Sequence, residues 1–104
     1  MSELWWLQTQ FASMVPRLID FAIASGYYVT IGHCTRCADC KTGHTNSLHK
    51  KRLAIDLNLF NQEGEYLQTP DPHKKLHQYW ESLGGAPMIA GDANHYSVEY
   101  KGMR

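Results

Sequence analysis

Four side chains in this 104-residue chain have the types and spacing to hold and use a metal ion. His49 and Asp56 belong to one stretch, Ser47-Leu48-His49-Lys50-Lys51-Arg52-Leu53-Ala54-Ile55-Asp56, and Asp92 and His95 to another, Asp92-Ala93-Asn94-His95. The two imidazoles and the Asp56 carboxylate form a donor set that suits Zn²⁺ and leaves one tetrahedral position open for water. Asp92 would then stand beside the ion without binding it, where a general base belongs. Taken singly, His49 reads as a surface histidine and Asp56 as a strand charge that discourages aggregation. Asp92 and His95, likewise, read as turn residues. Their conjunction in spacing and strand phase, with Ser47 nearby, is what singles them out.

The elements that must position these groups follow from periodicity. Leu53, Ile55, Leu57 and Leu59 alternate with Ala54, Asp56 and Asn58, which predicts a strand over 53–60 with one aliphatic face and Asp56 on the other. Tyr96, Val98 and Tyr100 alternate with Ser97 and Glu99, predicting a strand over 96–100 with His95 at its entrance. Tyr27-Tyr28-Val29-Thr30-Ile31-Gly32 is a further β-rich run, and 65–67 is expected to return on 53–60 as a hairpin around Gly64. Two helices complete the set. Leu4, Leu7, Phe11, Met14, Leu18 and Ala22 recur at helical spacing over 3–25, with Gly26 as the stop and Pro16 as either a kink or a restart capped by Ser13. Leu76, Tyr79, Trp80 and Leu83 mark a second helix, with Asp71 as its cap and Pro72 in its first turn. The expected fold is α+β: one domain over 1–104, a small, mainly antiparallel sheet packed against two helices, and the metal site on the sheet face away from the aliphatics.

With those residues in place, the chain resembles the zinc D-Ala-D-Ala carboxypeptidase and L-alanyl-D-glutamate endopeptidase family, and within it the bacteriophage endolysin branch. That family's motif usually reads Ser-x-His-x-x-Gly-x-Ala-x-Asp, followed late in the chain by an acid three residues before a histidine. This sequence matches at Ser47, His49, Ala54, Asp56, Asp92 and His95. It departs at the glycine, which is Arg52, and at Asn94, where many members carry tryptophan. The resemblance implies zinc ligands His49, Asp56 and His95, a catalytic base at Asp92, and the family's compact, hedgehog-like fold. It also implies an arginine reaching toward the site, for which Arg36 is the candidate in the 33–46 region. The implied substrate is the peptidoglycan stem peptide. The implied setting is a monomer made in a host cytoplasm and acting on the cell wall during phage lysis.

The remaining features bound the alternatives. The formal net charge of +0 gives no field to attract nucleic acid, and no apolar run reaches membrane-spanning length. Met-Ser-Glu-Leu-Trp-Trp lacks the basic region of a secretory signal. Cys34, Cys37 and Cys40, flanked by His33 and His44, have the local spacing of a structural metal site, but an odd count does not complete a disulfide framework. Reduced thiols are the plainer reading of the run. His73 and His77 lie one helical turn apart and read as a polar, solvent-facing pair. Two other function classes stay open: a zinc-stabilised binding or virion module without turnover, and a redox or metal-carrier protein built on the cysteine run.

Overall fold

The computed structural model describes residues 2–32 and 48–103, with His49 and Lys50 described by their backbone alone. Helix α1 spans Glu3–Ala24 and strand β1 spans Tyr28–Ile31. A short 3₁₀ helix, Leu48–Lys51, leads into strand β2, Ala54–Phe60. Helix α2, Asp71–Ser82, and strand β3, His95–Ser97, follow. The three strands form an antiparallel sheet in the order β1-β2-β3, so β2 is central and carries Asp56 in the middle of the fold.

Helix α1 starts where Ser2 caps it, its hydroxyl oxygen accepting from the Trp5 N–H at 3.1 Å. It runs unbroken through Pro16, so neither the restart nor a Ser13 cap is needed. The Ser13 hydroxyl donates to the Gln10 carbonyl instead. Phe11, Met14, Leu18 and Ala22 form its buried stripe, as their spacing requires. Helix α2 begins one residue earlier than its composition indicates. Pro70 occupies the cap position and Asp71, inside the first turn, pairs with Lys74 at 3.1 Å. The two helices meet through aromatic rings, Phe11 edge-on to Trp80 and Phe21 stacked on Tyr79 at 4.3 Å.

The β2 alternation appears as expected. Leu53, Leu57 and Leu59 are fully buried and Ile55 nearly so, packed with Leu18, Leu76, Trp80 and Tyr96. Each such leucine contributes about 2 kcal/mol by leaving water. The expected strand at 65–67 is reduced to one bridge, Phe60 to Tyr66, with the Leu67 N–H donating to Leu59. The cause is local. The Asn61 side-chain oxygen accepts from the N–H groups of both Glu63 and Glu65, so the turn takes backbone groups a ladder would use. Strand β3 is also shorter than 96–100 and starts at His95, which places that residue inside the ladder and not at its entrance.

Candidate metal and catalytic site

The ladder between β2 and β3 sets the site. Asp56 stands directly opposite His95, flanked by the Ile55–Tyr96 and Ala54–Ser97 pairs. Because side chains alternate along a strand, Asp56 and His95 share one face while Ile55 and Tyr96 project into the core on the other. His95 presents Nδ1 to Asp56, 3.5 Å from Oδ1. Two ligands of one tetrahedral zinc, each about 2.0–2.1 Å from the ion, stand about 3.4 Å apart. The pair therefore has the separation of co-ligands, beyond that of an ordinary N–H···O hydrogen bond.

Asp92 approaches the same nitrogen from the turn before β3, with Oδ2 3.9 Å from His95 Nδ1. Two consecutive turns bring it there. The Asp92 N–H donates to the Ile89 carbonyl at 3.0 Å, and the His95 N–H donates to the Asp92 carbonyl at 3.1 Å. Gly91 is the third residue of the first turn and has φ +79°, a conformation open to glycine and strained for other residues. The Asp92 side chain is 52 % exposed against 15 % for Asp56. The two carboxylates thus differ in role: one is enclosed beside the imidazole, the other is open to solvent and substrate.

On the opposite side of Asp56, Gly32 continues the β1–β2 ladder, its N–H donating to the Asp56 carbonyl at 2.8 Å. A Cβ at position 32 would lie 3.3 Å from Asp56 Cβ, so a glycine there leaves room beside the carboxylate. The 3₁₀ helix carrying the His49 backbone is anchored from two sides. Leu48 is buried in the core, and the Gln8 side-chain amide donates to the Lys51 carbonyl at 2.8 Å. The chain then turns through Arg52 at φ +58° and enters β2.

Of the residues singled out in the sequence, Asp56, Asp92 and His95 are thus brought together. The His49 side chain, Arg36, Ser47 and the Cys34, Cys37 and Cys40 run with His33 and His44 lie outside the described residues. Among the described residues, no three His, Cys, Asp or Glu side chains gather closely enough to hold an ion by themselves. Asp56 and His95 fit two positions of a zinc site, and a further ligand has to come from elsewhere, as the sequence expects of His49.

A layer beneath the site was misread from the sequence. His73 and His77 are not a solvent-facing pair; both are buried, together with Leu76 and Trp80. The signal was present, since 73, 76, 77 and 80 follow the i, i+3, i+4, i+7 rule of a core stripe. His73 Nδ1 lies 2.7 Å from the Tyr96 hydroxyl, and the His77 ring stacks on the Tyr96 ring at 4.1 Å. His77 Nε2 lies 2.7 Å from the Ala93 carbonyl, within the turn between Asp92 and His95. Burial, reinforced by His77, draws His73 down to about 4, and burial also lowers His77, so both rings are neutral at pH 7. Burial raises the Tyr96 phenol, which stays protonated. The Trp80 indole N–H and the Ala86 N–H both donate to the Ser97 carbonyl at 2.8 Å, tying α2 and the residues after it to the far side of β3.

No protein-family model matches this chain, and no curated protein matches it.

Proposed function

We propose that this chain is a zinc-dependent peptidoglycan peptidase that hydrolyses an amide bond of the cell-wall stem peptide, acting in phage-mediated lysis. The observation that carries the reading is the facing pair Asp56–His95 with the Asp92 carboxylate beside the same His95 nitrogen. Residues that the family resemblance names as two ligands and a base are drawn to one point from separate parts of the chain. His49, Asp56 and His95 would hold the ion in this reading. When bound, zinc supplies Lewis acidity at the scissile carbonyl and makes water more acidic.

The chain's own residues do the rest. Enclosure of Asp56 keeps a carboxylate in place opposite His95 without solvent competing for it. Asp92, half-exposed at the end of its turn, takes a proton from the attacking water and returns it to the departing amine. Arg36 is assigned to the oxyanion or to a substrate carboxylate, the role the resemblance gives it. The rigid sheet beneath keeps the base and the ligand pair in register through the cycle.

The test is metal content and turnover together. Protein purified without chelator is expected to carry about one zinc per chain and to release new amino groups from purified peptidoglycan. Metal content unchanged in a His49→Ala/His95→Ala double variant would refute the site. Zinc without turnover on any cell-wall substrate would mark a zinc-stabilised binding module instead. A Cys34→Ser/Cys37→Ser/Cys40→Ser variant that folds but loses both would move the chemistry to the cysteine run.

A further inference from the structure

We infer that His77 is a positioning residue for the Asp92–His95 turn, holding the base and the His95 imidazole in mutual register through its bond to the Ala93 carbonyl. The inference rests on the peptidase reading for its consequence in catalysis, but its structural content stands apart from it. Ala93 is the first residue between Asp92 and His95, and its carbonyl can only accept. The bond at 2.7 Å therefore requires the hydrogen of His77 on Nε2. The other ring nitrogen, Nδ1, is buried and makes no hydrogen bond among the described residues. The ring spends its one hydrogen on the turn.

Packing alone does not call for an imidazole at this place. His77 is 2 % exposed and stacks nearly parallel to Tyr96, at 12° between ring planes, a contact a phenyl ring would make equally well. A phenyl ring would also spare the fold a buried nitrogen without a hydrogen bond. What a phenyl ring lacks is the N–H. That N–H ties α2 to the three-residue step separating the two functional side chains. The remaining bonds of the segment are its own turn bonds and the Leu57 N–H donating to the Asn94 carbonyl at 3.0 Å. His77 is thus the side chain that fixes the turn from the helix layer, while β2 fixes it from the sheet.

The experiment compares His77→Phe, which keeps the ring and loses the donor, with His77→Gln, whose amide reaches the position of Nε2. Amide hydrogen exchange is read at His95 and Leu57, which donate into the turn, and at Leu67, which donates to Leu59 away from it. In His77→Phe, exchange at His95 and Leu57 is expected to quicken about tenfold or more with Leu67 unchanged, and His77→Gln is expected to recover most of the protection. Turnover on peptidoglycan should fall about 10- to 100-fold in kcat with little change in KM, following the exchange and not the melting temperature. Exchange unchanged at His95 and Leu57, or quickened in equal proportion at Leu67, overturns the inference. Should His77→Phe not fold, His77→Asn, whose amide stops short of Ala93, replaces it against His77→Gln with the same expectations. If the wild-type protein neither binds zinc nor hydrolyses cell wall, the peptidase reading falls, and the exchange comparison by itself still decides the role of His77.

Discussion

Asp56 and His95 are directly opposed across the β2–β3 ladder, and His95 turns Nδ1 toward both Asp56 and Asp92, at 3.5 and 3.9 Å. The proposed ligand pair is thus a cross-strand pair, and its geometry is that of the sheet. Mutations at these positions separate ligand from base, and mutations in the supporting backbone test the frame.

Asp92→Asn keeps the size and shape of the side chain and removes its ability to accept a proton. Asp92 is half-exposed, so its replacement should leave the melting temperature unchanged. Zinc content should also be retained, while kcat falls about 10²-fold or more. Metal analysis beside a hydrolysis assay checks this; a variant that loses zinc would make Asp92 a ligand, and one with wild-type kcat would remove it from the mechanism.

Arg52 occupies a left-handed backbone position, φ +58°, at the place where the resembled motif carries glycine. A side chain there costs about 1 kcal/mol relative to glycine, partly offset by the greater freedom of glycine in the unfolded chain. Arg52→Gly is expected to match or exceed the wild type in urea denaturation. Arg52→Val, with a branched Cβ, is expected to lose about 1–2 kcal/mol. Equal stability for the two variants would mean that the backbone at 52 is not held in this conformation.

Gly85 lies against the Trp80 indole so closely that an added Cβ would collide with the ring. Trp80 is fully buried and cannot swing away without disturbing Tyr96, to which it packs edge-on. Gly85→Ala is therefore expected to lose roughly 2–3 kcal/mol in a denaturant titration. The loss should be accompanied by a change in Trp fluorescence. A near-neutral Gly85→Ala would place the indole elsewhere.

The buried histidines give stability a defined pH dependence. The His73 value is near 4 in the fold and 6.5 in the unfolded chain, so between these limits the unfolded state binds the extra proton. Stability is complete above pH 6.5 and declines as the pH falls toward 4, by on the order of 3 kcal/mol from His73. His77 is shifted in the same direction and adds to the decline. Urea titrations of metal-free protein between pH 4 and 7 measure the slope, and His73→Gln should flatten it. A wild-type slope near zero would contradict the burial of neutral rings.

What could be read from sequence, and what could not, divides along physical lines. Alternation at Leu53, Ile55, Leu57 and Leu59 was enough to aim Asp56, because a two-residue period leaves one choice of face. The spacing of Asp92 and His95 was enough to put them in one turn. The pairing of Asp56 with His95 was not legible, since register depends on contacts between segments far apart in sequence. Nor was the burial of His73 and His77, where polarity was allowed to outweigh helical phase. The short reach of the 65–67 return was hidden in a single side chain, Asn61, competing for the backbone.

Asp92 belongs to two turns at once, donating its N–H to Ile89 and offering its carbonyl to His95. Chain length across these four residues is therefore as much a part of the site as the side chains are. A residue inserted between Asp92 and His95 must be taken up somewhere. If the turn absorbs it, Asp92 is carried away from the imidazole; if the ladder absorbs it, His95 passes to the opposite face and Tyr96 takes its place. Surface loops ordinarily tolerate such insertions, and the Asn61–Gly64 turn at the other end of β2 is free to vary in that way. The Asp92–His95 step is not, and descendants of this sequence are confined to substitution there.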